Sequence, residues 1–374
     1  MDLRLDETDQ LLSRQARSLL AGAAPPERLA EWEAGADGFD RAQWARLVEL
    51  GWTGVAVPES SGGGGGSLVT LGGLAGEIGR AAYPSPFLPT VTAGLVTARL
   101  GTTKRAAALL ESVSRDGTPA ALLWTPGCGT GFTAERRGPS LVLSGRLIAE
   151  WAHVAATLVC LAATPDGVAA VAVDAGTAGL RVSSRRSFDN ERVAVVEFDG
   201  VEVGPDAHLV SGGVAGAAEA ADALGEVRLV RAAELVGGAE KTLELTAAYV
   251  GSRVQFGVPI GTFQAVQHAC ADVATLVHCA RLATDEGLSG GRPPRQAGAV
   301  AAYLAGRAAV AAAVTGAQLH GGIGMIRDYP LHFYYRRAKA MQLRLGSAAR
   351  QLEELAQVLV DPVAEAAGAA RPWL

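Results

Sequence analysis

Two stretches of the chain bring together side chains that can do chemistry. In the first, Arg253, Gln255 and Phe256 lie close together, and Gln264 follows on the same stretch. A guanidinium offers a planar fork of donors, and the phenyl ring beside it offers a flat apolar face. That combination suits a pyrophosphate lying next to an adenine or a ribose. In the second, Gln318 precedes Gly321, Gly322 and Gly324. Glycines at the end of a helix leave no Cβ in the way, so the backbone can come close to a dinucleotide. Singly, each feature has an ordinary structural reading: Arg253 as a helix-surface charge, Gln264 as a helix cap, and Gly321-Gly322 as a helix stop. Other chemistries lack their residues. The glycine run at residues 62–66 is not followed by Gly-Lys-Ser/Thr, so it is not a phosphate loop, and a flexible inter-helix loop is expected there. The six His show no metal-ligand spacing.

The elements that must position these residues follow from periodicity. Leu12, Ala16 and Leu20 repeat at the spacing of a buried helical stripe. Asp40 is placed to cap a second helix with Trp44, Leu47 and Val48 on one face. Helical pattern resumes over residues 69–110. Near Gly117-Thr118-Pro119 the character changes to strand alternation. Leu141, Val142 and Leu143 form a short β run ending at Ser144-Gly145, and Ala194, Val196 and Phe198 alternate with the opposite face. Thr164-Pro165-Asp166-Gly167 reads as a hairpin turn. Beyond a Gly- and Ala-rich stretch at 211–221, long helices return, with stripes at Leu235, Ala239 and Leu243 and at Leu352, Leu355 and Leu359. Gly290-Gly291 and Pro293-Pro294 break two of them. The predicted fold is α+β: an N-terminal helical domain (1–117), a middle β-barrel or sandwich domain (118–212) and a C-terminal four-helix bundle (213–374).

With 374 residues, 49% hydrophobic and 19% charged, the chain is globular, and its net charge of −5, with no basic excess to neutralise phosphates, argues against a nucleic-acid binder. The Ala-rich run at 297–317 is interrupted by Arg307, so a bundle helix is expected there rather than a membrane span. The first ten residues, MDLRLDETDQ, are acidic, unlike a secretory signal. Cys128, Cys160, Cys270 and Cys279 include no CxxC pair and are expected to be reduced thiols of a cytoplasmic protein.

Three segments resemble the acyl-CoA dehydrogenase family. Gly51-Trp52 through Val57-Pro58-Glu59 and the glycine run is similar to the family's "GW…VPE…GG.G". Residues 249–272, YVGSRVQFGVPIGTFQAVQHACAD, resemble "R.QFG.PI..FQ.vQ...AD", and residues 318–339, QLHGGIGMIRDYPLHFYYRRAK, resemble "Q..GG.G…yP..R.yR.ak". The stretch at 188–204, ending in VEFDGVEVG, is similar to the β domain's last strand pair. The resemblance implies FAD-dependent α,β-dehydrogenation of an acyl thioester. It also implies that Arg253, Gln255, Phe256, Gln264, Gln318, Gly321 and Gly322 reach the FAD of a neighbouring subunit.

Against that family pattern, particular residues are missing. The chemistry needs a carboxylate to remove the proton α to the thioester carbonyl, a contribution of about 10²–10⁴ in rate. The usual position, in "YEGT", is matched by Arg344-Leu345-Gly346-Ser347, and Leu345 accepts no proton. The alternative position, a Glu before an Arg, is matched by Val227 before Arg228. Glu226 is adjacent, but one residue along a helix turns a side chain by about 100°. Its ordinary reading is an acid complementing a helix N-terminus. Asp328 is a third candidate, read as turn chemistry. Where members carry "TEPGAGSD" this chain has Trp124-Thr125-Pro126-Gly127-Cys128-Gly129-Thr130-Gly131, and where members carry "WITN" it has Ala149-Glu150-Trp151-Ala152.

The resemblance with these losses implies a non-catalytic subunit of an α₂β₂ heteromer, its FAD shared across the interface with a homologous acyl-CoA dehydrogenase chain. An acyl-CoA substrate and an electron-transfer acceptor are the other partners implied, with no nucleic acid or membrane. The segments LHGGIGM, YPLHFYY and LRLGS look like the branch acting on steroid-like CoA thioesters. Two alternatives stand beside this: an autonomous homo-oligomeric flavoenzyme with Glu226 as a relocated base, and a flavin-free scaffold or non-redox enzyme of a biosynthetic pathway.

Overall fold

The computed structural model describes residues 6–124 and 132–360. The chain opens with helices α1 (Glu7–Ala23), α2 (Pro26–Ala34), α3 (Arg41–Glu49), α4 (Leu68–Arg80), α5 (Phe87–Leu100) and α6 (Lys104–Glu111). Strands follow: β1 (Ala120–Leu123), β2 (Phe132–Arg137), β3 (Ser140–Glu150), β4 (Thr157–Thr164), β5 (Gly167–Asp174), β6 (Leu180–Arg186), β7 (Arg192–Val203) and β8 (Val214–Ala215). The last part holds α7 (Ala217–Ser252), the short strands β9 (Val254–Gln255) and β10 (Val258–Pro259), α8 (Gln264–Leu288), α9 (Pro294–His320), α10 (Leu331–Arg344) and α11 (Ala348–Leu355). These elements gather into two compact units, one of residues up to 28, 72–83 and from 228 on, the other of residues 29–71 and 84–227.

The unit of residues 29–71 and 84–227 has two four-stranded sheets, ordered β1-β4-β5-β8 and β2-β3-β7-β6. Apart from the parallel pair β1 and β4, the strands of both sheets pair antiparallel. Side chains alternate along each strand, so one face of each sheet turns inward. Leu123, Leu143, Leu158, Val171, Val196 and Phe198 belong to one shared buried core. Among the described residues no barrel closes, and of the two expected forms of the β domain the open two-sheet one is found. The turn at Thr164-Pro165-Asp166-Gly167 joins β4 to β5 as expected, with Thr164 opposite Gly167. β3 continues past Ser144-Gly145, where a run ending there was expected. A register shift between Leu143 and Gly145, with Gly145 at φ +118°, absorbs the irregularity as a bulge.

The expected helical pattern over 69–110 is found as three helices, α4, α5 and α6. Pro84 and Pro86 cannot continue a helix, and Gly101 ends α5. The glycine run, expected to be a flexible inter-helix loop, is instead held by backbone hydrogen bonds. The amides of Gly63, Gly64, Gly65 and Gly66 donate to the carbonyls of Pro58, Gly54, Val57 and Val55. A Cβ on Gly63 would fall on the Val57 carbonyl, so glycine is required there. Asp40 caps α3 as expected, its carboxylate accepting from the amides of Ala42 and Gln43 at 2.8 and 3.2 Å.

The other unit is helical apart from the short β9–β10 pair. α9 carries a buried alanine face that includes Ala301, Ala305, Ala308 and Ala312. It is long and apolar enough to cross a membrane, but most of its apolar window is buried inside the protein. α4 and α7 approach so closely that a Cβ on Gly79 would meet the Glu234 carbonyl and one on Gly237 the Gly76 carbonyl. Arg337 donates to Glu234 at 2.8 Å and Arg231 lies 3.0 Å from the same carboxylate, all three buried. A pair at this depth needs its partners, since removing one strands a charge. Leu352, expected on a buried stripe, is 49% exposed, and α11 buries Gln351 instead.

Candidate functional site

α7 ends at Ser252, and the chain then turns back. The Arg253 amide donates to the Tyr249 carbonyl at 2.8 Å, and the Ile260 amide donates to the Arg253 carbonyl at 2.8 Å. Between them β9 and β10 pair antiparallel, with Gln255 opposite Val258. The two connecting residues, Phe256 and Gly257, lie at φ +53° and +80°. Positive φ at both positions is what a tight hairpin turn requires; Gly257 adopts it freely, whereas a phenylalanine there is strained. Phe256 is nonetheless 93% exposed. Arg253 and Gln255 are also exposed, and the Gln255 amide reaches only the Val254 carbonyl. Gln264 is the first residue of α8 and exposed, with Phe263 at the N-cap position.

The second stretch sits at the end of α9. Gly321 closes the helix, its amide donating to the carbonyls of Ala317 and Gln318, at φ +61° and ψ −142°. Only glycine adopts that backbone readily. No atom lies within 4 Å of a Cβ built on Gly321 or Gly322, and Gln318 is exposed beside them. The turn is therefore both a helix stop and an open surface with room for a ligand. Both stretches belong to the helical unit.

Sequence reasoning missed the aromatic group behind these stretches. The buried His320 ring stacks on Tyr249 with centroids 4.3 Å apart and an interplanar angle of 20°. Its Nδ1 lies 2.7 Å from the Gly316 carbonyl and its Nε2 2.9 Å from the Tyr329 hydroxyl. Burial holds the imidazole below its usual pKa and pushes the Tyr329 hydroxyl up. All three residues fall inside or beside the quoted motifs, but nothing in their spacing signals that they meet.

Among the residues considered as proton acceptors, none stands ready. Leu345 caps α10 and is buried, its amide bonded to Met341. Val227 is buried too. Glu226 lies well inside α7, which runs unbroken from Ala217, so neither a later helix start nor a first-turn dipole role describes it. Its carboxylate accepts from Arg99 at 2.6 Å and is 8% exposed. Arg228 donates to Glu354 at 2.8 Å. Asp328 is exposed. Residues 125–131, with Cys128, lie outside the described residues. Trp151, where "WITN" has its Thr, is buried at φ +54°, donates its indole N–H to Glu191 and meets Phe39 edge-on at 5.5 Å. Among the described residues no group of His, Cys, Asp and Glu forms a metal site, and Cys160, Cys270 and Cys279 are free.

Comparison with known proteins bears on this geometry. Residues 6–116 match the model of the acyl-CoA dehydrogenase N-terminal domain and residues 215–360 that of the C-terminal domain. The chain is 31% identical over 353 residues to acyl-CoA dehydrogenase IpdE2 of Mycobacterium tuberculosis, covering 93% of this chain and 96% of that one. Its structure is similar to a chain of the ChsE4-ChsE5 complex from Mycobacterium tuberculosis, with TM-score 0.89 and 27% identity over 96% of this chain and 99% of that one. It is also similar to a variant of the Tcur3481-Tcur3483 steroid ACAD, with TM-score 0.87 and 30% identity over 97% and 99%. With matched domain models at both ends and a relative aligned along nearly the whole length, this chain belongs to the acyl-CoA dehydrogenase family.

Proposed function

We propose that this chain is the partner subunit of a heteromeric acyl-CoA dehydrogenase and completes the FAD site of a homologous, carboxylate-bearing chain. The observation that carries the reading is an asymmetry. The residues expected to reach a neighbour's cofactor, Arg253, Gln255, Phe256, Gln264, Gln318, Gly321 and Gly322, are all exposed. The positions expected to supply this chain's own base hold Leu345 and Val227, both buried and apolar. The neighbouring Glu226 is committed to Arg99.

The exposed surface fits an adenine dinucleotide in kind. The Arg253 guanidinium supplies a charge-assisted fork for pyrophosphate oxygens, and the Gly321-Gly322 backbone leaves room at both Cβ positions. When bound, FAD supplies the hydride acceptor. The α proton of the thioester then passes to a carboxylate of the other chain, because no side chain at the two family positions here accepts one. Trp151, packed on Phe39 and bonded to Glu191, stands where the family's "WITN" pattern has its Thr. Two of the similar structures are named for pairs of chains, one of them a steroid ACAD, and on that likeness the substrate is a CoA thioester with a bulky ring system.

Expression tests the reading. Purified alone, the chain should be colourless and inactive. Co-expressed with a homologous chain that carries the glutamate, it should yield a yellow, active complex. Yellow, active protein from the single chain overturns it.

A further inference from the structure

Two segments far apart in sequence, the hairpin after α7 and the turn after α9, meet through three rings. Tyr249 gives its carbonyl to the Arg253 amide at 2.8 Å, and its ring stacks on His320. His320 is the residue immediately before Gly321. Its Nδ1 faces the Gly316 carbonyl, which only accepts, so Nδ1 carries the proton. In the neutral ring Nε2 then accepts from the Tyr329 hydroxyl at 2.9 Å. The imidazole is thereby fixed in tautomer and in tilt, with both nitrogens satisfied although only 4% of the residue is exposed. A leucine would fill the same volume without demanding partners, so the polar ring sets an orientation that an apolar one would not.

We propose that Tyr249, His320 and Tyr329 form a positioning device that locks the Arg253–Phe256 hairpin to the Gly321-Gly322 turn. Parting the two segments breaks the Tyr249–His320 stack, and the Tyr329 hydroxyl holds the imidazole in the tilt that the stack needs. For its value in cofactor recognition the device rests on the function proposed above: a rigid pair of contact segments loses less freedom on binding than two independent ones. The mechanical claim, that the two segments open together, does not depend on it.

Amide hydrogen exchange on the full chain tests the mechanical claim. Tyr329→Phe removes the hydroxyl and keeps the ring. Exchange at the Ile260 and Gly321 amides should then speed up together, by about fivefold to tenfold, as expected for one lost hydrogen bond. The middle of α8 should be unchanged and serves as the reference. Tyr249→Phe, which preserves the stack, should be silent, and Tyr249→Leu should repeat the paired effect. Acceleration confined to residues 321–329, with 253–260 unmoved, overturns the device, as does a uniform rise that includes α8. Flavin content of the co-expressed complex separates the two claims. If Arg253→Ala lowers it and the loss adds simply to that of Tyr329→Phe, the device fails while the function stands; sub-additive losses support the device. If Arg253→Ala leaves flavin content unchanged, the function fails, and the exchange data alone decide the device.

Discussion

At the scale of single residues, Glu226 and His320 show how burial and partners decide what a titratable group does. The Glu226 carboxylate is buried and held by Arg99, which makes it a structural partner. Glu226→Gln keeps an acceptor for Arg99 but removes the charge. It should cost about 1–2 kcal/mol in a urea denaturation midpoint. Turnover of the co-expressed complex should stay within a few-fold of the parent. Abolished turnover with flavin retained would make Glu226 the base after all. His320 is neutral in the fold because burial disfavours its charged form. Its folded pKa lies below the unfolded value of about 6.5, so the stability it contributes is complete above that pH and lost as pH falls through the folded pKa. Burial lowers His153 and His208 in the same way. Melting temperature should therefore fall on acidification from neutral pH, and His320→Gln should fall less steeply because one of the three groups is gone. Parallel profiles for parent and variant would show that His320 keeps its ordinary pKa in the fold.

At the scale of elements, the tightest constraint is the contact of α4 with α7. Gly79 and Gly237 each face a carbonyl of the opposing helix, and a methyl group at either position has nowhere to go. Gly79→Ala or Gly237→Ala should cost about 1–3 kcal/mol, because two rigid backbones must separate to admit the group. Gly22→Ala in α1 meets no atom within 4 Å and should instead stabilise by about 0.5–1 kcal/mol. Denaturation of the three variants side by side checks the sign as well as the size. Such crossings explain what could be read in advance. The Asp40 cap, the turn at Thr164–Gly167 and the break at Pro293-Pro294 are local, set by side chains within a few residues of one another, and all three stand in the structure. The helix stop at Gly321 was also legible, because a Gly-Gly pair after a long helical run marks its end, and Gly321 does close α9. The β1–β4 pairing, the stitched glycine run, the Arg99–Glu226 pair and the Tyr249–His320 stack join residues that spacing alone does not relate. Leu352 was misread because a periodic leucine signals a face to be covered without saying whether the same chain covers it.

At the scale of the whole molecule, a subunit built to complete another should carry surface that is costly alone and useful only when covered. Phe256 has that character. It is 93% exposed at φ +53°, so the free chain gains little from burying the ring and bears the strain of a β-carbon in left-handed backbone. Val254, Val258 and Phe263 around it are exposed as well. Phe256→Gly removes both the strain and the ring. In the isolated chain it should be neutral or stabilising by up to about 1 kcal/mol, since glycine adopts this conformation freely. In the co-expressed complex the same change should lower flavin content and weaken association, because the aromatic face that a neighbour or its cofactor would cover is gone. Opposite signs in the two measurements are what distinguish an interface residue from a core one, for which both would fall together. A variant that assembles and retains flavin like the parent would remove the hairpin from the shared site and leave Phe256 a strained residue without a function.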